Sequence, residues 1–311
     1  MEKEELFTMT TAFRGESKIY GFTYGSGEPA ACIVGAMRGN EYQQLYICSI
    51  LSRKLAELEA SGDIISGKSI MVIPSLNYSS INAGKKYWVS DDSDINREFP
   101  GNPNGTATSR IAYTILERVK QYTYGIQFPS FYLPGKFIPH VRMMRTGHES
   151  TNLANLFGLP FVLTADQRAF DETTLNYNWQ VSGTEAFSIY SGGTRKINPV
   201  YAESAAAAVL RFLSRMGIIK YRSLGGYISS VMEEEEMTNI KADEAGFFMR
   251  LVDVNDEVHR GQKLAEIVNP MDGRVLSEVI APCDGIIFFE QDQPMVYQNV
   301  IIYKMVRKMH K

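Results

Sequence analysis

The feature that most constrains this chain is a change of rhythm near Tyr221. Before it, strand-like and helix-like segments alternate. Residues 30–36 (AACIVGA) read as a short buried strand. A helix follows from about Glu41 to Ala60, with Leu45, Cys48, Leu51, Leu55 and Leu58 at helical spacing and Gly62 as its stop. Ile70–Ile73 give a second strand, and Thr108 is placed to cap a helix carrying Ile111, Ile115 and Val119. Segments 159–164 and 185–190 are strand-like, and 200–216 is a helix that stops at Gly217. Strands separated by helices predict an α/β domain over residues 1–220, a mainly parallel sheet covered on both faces. After Tyr221 only short strand candidates recur, with Gly, Asp, Asn or Pro between them, which predicts a small all-β domain over 221–311. Its acidic run Glu233–Glu236 reads as a solvated charged turn.

Composition excludes some roles. A net charge of -3 over 311 residues gives no footprint for a nucleic-acid partner. No apolar run approaches bilayer length, so no membrane span is expected. The N-terminal MEKEELFTMT is acidic and polar, unlike a secretory signal. Cys32, Cys48 and Cys283 are odd in number and far apart, and they read as reduced thiols of a cytoplasmic protein.

In an open parallel sheet, ligands bind beyond the carboxyl ends of the strands. Two loops of that kind stand out: Gly35-Ala36-Met37-Arg38-Gly39-Asn40-Glu41, and the end of the 75–101 loop, Asp94-Ile95-Asn96-Arg97-Glu98-Phe99-Pro100-Gly101. Together they resemble the succinylglutamate desuccinylase/aspartoacylase family, whose members are zinc-carboxypeptidase-like amidohydrolases. The resemblance extends over nearly the whole chain. It implies a three-layer α/β/α fold with a C-terminal β-domain, and zinc as the cofactor. It also implies a carboxylate-binding role for Asn96 and Arg97 in the segment 94–101, which matches throughout apart from a conservative Ile95. In the first loop Gly35, Gly39, Asn40 and Glu41 match, and Glu41 falls on a zinc-ligand position. Arg38 stands where the family has a zinc-binding His, Gln127 of Gly125-Ile126-Gln127 where it has the third ligand, and Tyr190 where it has the catalytic Glu.

These substitutions bear on the chemistry. Guanidinium offers no lone pair and stays charged, so Arg38 repels a dication, and Gln127 offers only an amide oxygen. Four histidines are present, His140, His148, His259 and His310, of which the first two fall in the α/β domain. A rebuilt metal site from Glu41, His140 and His148 is one reading. An Arg38–Glu41 ion pair standing in for zinc is another, compatible with Arg38 and Arg97 gripping an anion together. Glu185, at an odd offset from Tyr190, faces the other side of its strand. Segment 134–142 reads as a shaped loop bringing Lys136, His140 and Arg142 toward the pocket, with His140 as the one titrating catalytic candidate. Tyr42, Tyr87 and Trp88 are candidate pocket linings. The β-domain also resembles biotinyl/lipoyl carriers, but its Pro270-Met271-Asp272-Gly273 hairpin carries no lysine. Two functions follow: a metal-dependent deacylase of N-acyl amino acids or peptide-like carboxylates, or a catalytically inactive relative that binds a small anionic ligand.

Overall fold

The computed structural model describes residues 1–11, 15–223 and 225–308; His310 lies outside them. A hairpin of β1 (Glu2–Thr11) and β2 (Gly15–Gly25) opens the chain. The α/β part then runs β3 (Gly27–Ala36), α1 (Tyr42–Ala60), β4 (Gly67–Ser75), α2 (Tyr78–Ala83), α3 (Ala107–Val119) and β5 (Tyr124–Gln127). It continues with β6 (Gly135–Arg145), α4 (Thr151–Ala154), β7 (Phe161–Asp166), α5 (Leu175–Val181), β8 (Glu185–Gly192) and α6 (Pro199–Arg215).

The central strands are apolar at consecutive positions because both of their faces are covered. Ile33, Ile70 and Val72 join the core built with Ile47, Leu51, Leu55, Ala205, Val209 and Phe212 of α1 and α6. The alternate residues Cys32, Val34, Met71 and Ile73 join Ile111, Ile115, Val119 and Trp179 of α3 and α5 on the opposite side. The period of two along each strand thus produces three layers. Pairing is parallel for β4–β3–β5–β8 and for β6–β7, and antiparallel where β2 meets β4 and where β6 meets β8, so the sheet is mixed.

Two local expectations are corrected. Helix α3 is capped by Thr106, whose side chain accepts from the Ser109 N–H, while the Thr108 hydroxyl donates to the Asp91 carboxylate. Segment 134–142 is mostly strand β6, not a loop, and its Pro139 falls in the register shift between Phe137 and His140 opposite β8. A bulge is where a strand tolerates a residue with no N–H.

The C-terminal part comprises β9 (Ser230–Glu233), β10 (Thr238–Lys241), β11 (Gly246–Arg250), β12 (Glu257–Val258), β13 (Lys263–Val268), β14 (Val275–Ile280), β15 (Gly285–Gln291), β16 (Met295–Val296) and β17 (Ile301–Arg307). It is joined to the first part by backbone pairing. β15 adds antiparallel to β6, with Phe289 opposite Phe137, and β9 adds parallel to β7. One core runs through the junction, with Phe137, Ile138, Phe161 and Leu163 packed with Phe248, Phe288 and Phe289. β14, β13, β11 and β16 form a separate antiparallel sheet. Among the described residues no helix is long and apolar enough to cross a membrane.

Candidate functional site

The loop after β3 is shaped by a close approach. A Cβ on Gly39 would lie 2.2 Å from the Ser80 backbone, so only glycine lets the chain pass there. Glu41 then stands just before α1 but does not cap it; its carboxylate turns back onto the loop. One oxygen accepts the Met37 and Arg38 N–H groups at 2.7 and 3.0 Å, and the other accepts from Ser130 Oγ and from Arg38 Nη1 at 3.2 Å.

Segment 94–101 is built as an anchored turn. Ile95 and Phe99 are buried in the core beneath α3. A Cβ on Gly101 would sit 2.2 Å from Tyr113 N, and its φ of +85° is a glycine conformation. Asp94 caps the 3-10 turn by accepting from Asn96 N, and it also grips Arg38, taking Nε at 3.0 Å and Nη2 at 2.8 Å. Arg38 is therefore forked between Glu41 and Asp94, and Nη1 additionally donates to Ser130 Oγ at 2.8 Å. The expected ion pair is present, with a second carboxylate that was not foreseen. Burial disfavours the charged guanidinium, but the two carboxylates outweigh it and raise its pKa.

A cleft of roughly 100 Å³ opens above this cluster at the carboxyl ends of β3 and β5. Arg38, Asn96, Arg97, Gln127 and Tyr190 line it together. Asn96 accepts from Leu175 N through Oδ1, which leaves its amide N–H groups as donors. Arg97 donates to the Asn96 carbonyl and lies over the Phe170 ring at 5.1 Å. No carboxylate among the described residues lies within ion-pair distance of Arg97.

Other candidates fall elsewhere. His140 is on the same face of β6 as Arg142 but is covered by Tyr190, which stacks on it at 5.4 Å, and by Phe288. Burial pushes its imidazole down to about 3, and Nδ1 is bonded to the Ile138 carbonyl. It is neutral at ordinary pH and lies outside the cleft lining. Burial likewise raises the Tyr190 phenol, so it too stays protonated. Lys136 pairs with Asp253 and Glu290 at the junction with the C-terminal strands. Trp88 is core, and neither Tyr42, Tyr87 nor Glu185 lines the cleft.

Reasoning from sequence missed Asn176, Arg168 and Ser130 in the lining, and above all Glu234. The acidic run is not uniformly solvated. Glu234 is buried, pairs with both Nη atoms of Arg142, and takes Lys304 Nζ at 2.7 Å. Arg142 lines the cleft between the rings of Phe131 and Tyr190, so a residue of the C-terminal half holds a cleft residue in place. Burial raises the Glu234 pKa, but Arg142 and Lys304 more than reverse this, bringing it from 4.5 to about 2. A depressed folded-state pKa gives stability that is present above pH 4.5 and lost as pH falls toward 2. Urea unfolding across that interval should show a loss on the order of 3 kcal/mol from this group. Glu234→Gln should start less stable and fall correspondingly less.

The donor set does not fit zinc. A hydrolytic site needs about three protein ligands and an open position. Here Glu41 has both oxygens occupied by four donors, a guanidinium occupies the neighbouring position, and Gln127 offers one amide oxygen. Among the described residues no three His, Cys, Asp or Glu side chains converge.

The layered α/β fold carries a polar cleft at the carboxyl ends of its strands. Residues 28–216 match the succinylglutamate desuccinylase/aspartoacylase catalytic domain, and the chain belongs to that family of deacylases. Over 84 residues it is 31% identical to the N-alpha-acetyl-L-2,4-diaminobutyric acid deacetylase of Halomonas elongata, a match covering 27% of this chain and 23% of that protein. The chain thus spans about a quarter of the length of that relative. The product-bound ectoine utilization protein EutE (DoeB) from Ruegeria pomeroyi shares the fold at a TM-score of 0.78, 19% identity, 97% coverage of this chain and 94% of that one. The succinylglutamate desuccinylase/aspartoacylase from Rhodobacter sphaeroides shares it at 0.75, 20% identity, 96% and 91%.

Proposed function

We propose that this chain is a non-hydrolytic member of its family that binds a small carboxylate-bearing molecule, an N-acyl amino acid or peptide-like compound. One observation carries this: the buried Arg38 guanidinium, forked between Glu41 and Asp94 where a deacylase needs an open metal position. Arg97 is the carboxylate anchor, since it faces the cleft with no acidic partner among the described residues and can present two parallel N–H donors. Asn96 adds a neutral donor beside it. Ser130 does not supply a substitute nucleophile. Its hydroxyl is committed to Glu41, and that carboxylate already accepts three other N–H groups. The alternative reading, a deacylase with a rebuilt metal site, draws its support from the family.

The test reads binding and amine release on the same metal-analysed protein, offered a panel of N-acetyl amino acids. Saturable binding with no released amine is the expected outcome. Turnover that depends on a stoichiometric metal would establish the deacylase reading instead.

A further inference from the structure

Two amide groups in the cleft are buried with an atom that has no partner. Asn176 is 3% exposed and Gln127 is 2% exposed; among the described residues Asn176 Nδ2 and Gln127 Oε1 have no hydrogen-bond partner. The orientation of Asn176 is set by a relay. The Thr146 hydroxyl donates to Gln180 Oε1, and Gln180 Nε2 donates to Asn176 Oδ1 at 2.9 Å. That leaves the Asn176 amino group as the unused end, a pure donor. Gln127 turns its Nε2 toward Met37 Sδ at 3.8 Å, so its oxygen is the unused end, a pure acceptor.

The fold carries both residues toward the same cleft. α5 lies directly on β5, since a Cβ on Gly125 would meet the Trp179 ring at 2.7 Å. The end of α5 sits at the start of β5, where Thr184 Oγ1 reaches the Tyr122 carbonyl at 3.1 Å, so helix and strand run in opposite directions. Asn176 is one turn back from Trp179, about 4.5 Å along the helix. Gln127 is two residues on from Gly125, about 6.6 Å along the strand and on the same face. Both shifts go the same way, toward the cleft that both residues line.

We infer that Gln127 and Asn176 form a donor–acceptor pair that reads an intact carboxamide of the ligand, Asn176 Nδ2 donating to its carbonyl and Gln127 Oε1 accepting its N–H. This rests on the carboxylate reading of the cleft and deepens it. A ketone or ester of the same shape leaves Gln127 Oε1 unpaired, and a free ammonium gives Asn176 nothing to donate to. An unpaired buried polar atom is the strong source of discrimination between near-isosteres.

N-acetylglycine and levulinate test this, because levulinate has a CH2 where N-acetylglycine has its N–H. Titration calorimetry on the full chain should show N-acetylglycine binding about 10- to 100-fold tighter. Gln127→Leu should bring that ratio close to one, whereas Asn176→Leu, which loses the shared carbonyl contact, should weaken both compounds alike. Equal affinities in the unsubstituted protein overturn the amide assignment without needing any variant. A preference that survives Gln127→Leu overturns the role of Gln127. If neither compound binds, the carboxylate reading itself fails and takes this inference with it.

Discussion

Arg38→Ala is expected to cost about 3–5 kcal/mol of folding stability, read as a lower urea midpoint at unchanged slope. The cost comes less from losing a favourable pair than from what remains. Glu41 is buried and Asp94 nearly so, and both would be left without their cation. Four of the five N–H groups of Arg38 are engaged, to Asp94, to Glu41 and to Ser130, so the guanidinium is also the tie between the loop after β3 and the loop before α3. Arg38→Lys keeps the charge but loses the fork, and should fall between the two. A variant as stable as the parent would show that Arg38 is a surface-like charge and that the cluster is open to other occupants.

Arg97→Ala should weaken binding of an N-acyl amino acid about 30- to 1000-fold, or roughly 2–4 kcal/mol, by removing the bidentate anchor. The same change should leave stability within about 0.5 kcal/mol. Among the described residues its direct hydrogen bond runs to the carbonyl of its own neighbour, Asn96, and it has no acidic partner. That contrast separates the two roles open to this residue. If Arg97 merely ties down the loop, stability falls and affinity does not; if it anchors the ligand, affinity falls and stability does not. Arg97→Lys, a point charge without the fork, should restore only part of the affinity.

Most of the layered fold was legible because burial on both faces writes itself into the sequence as unbroken apolar strands beside helices of regular spacing. β6 was not, because Pro134, Gly135 and Pro139 are ordinary loop signals. They are tolerated here for tertiary reasons. Pro139 falls at a bulge, and a Cβ on Gly135 would meet the Glu290 carbonyl at 2.3 Å where β15 joins the sheet. At the site, Arg38 and Glu41 are three residues apart on one loop, so their pairing could be anticipated. Asp94 reaches them from a distant segment, and no local pattern announces that. Glu234 shows the limit of composition: four consecutive glutamates look alike in sequence, yet one is buried against Arg142 and Lys304. Asn176 has no local signature at all. Its role follows only from the relay through Gln180 and Thr146, and from the packing of α5 on β5.

The most direct measurement is the zinc content of the full chain, purified without chelator, equilibrated with zinc and then dialysed. A guanidinium held between Glu41 and Asp94 leads to a ratio far below one zinc per chain, and to N-acyl amino acids that are bound and recovered intact. About one zinc per chain, with release of free amine, would contradict it and return the protein to the deacylases of its family.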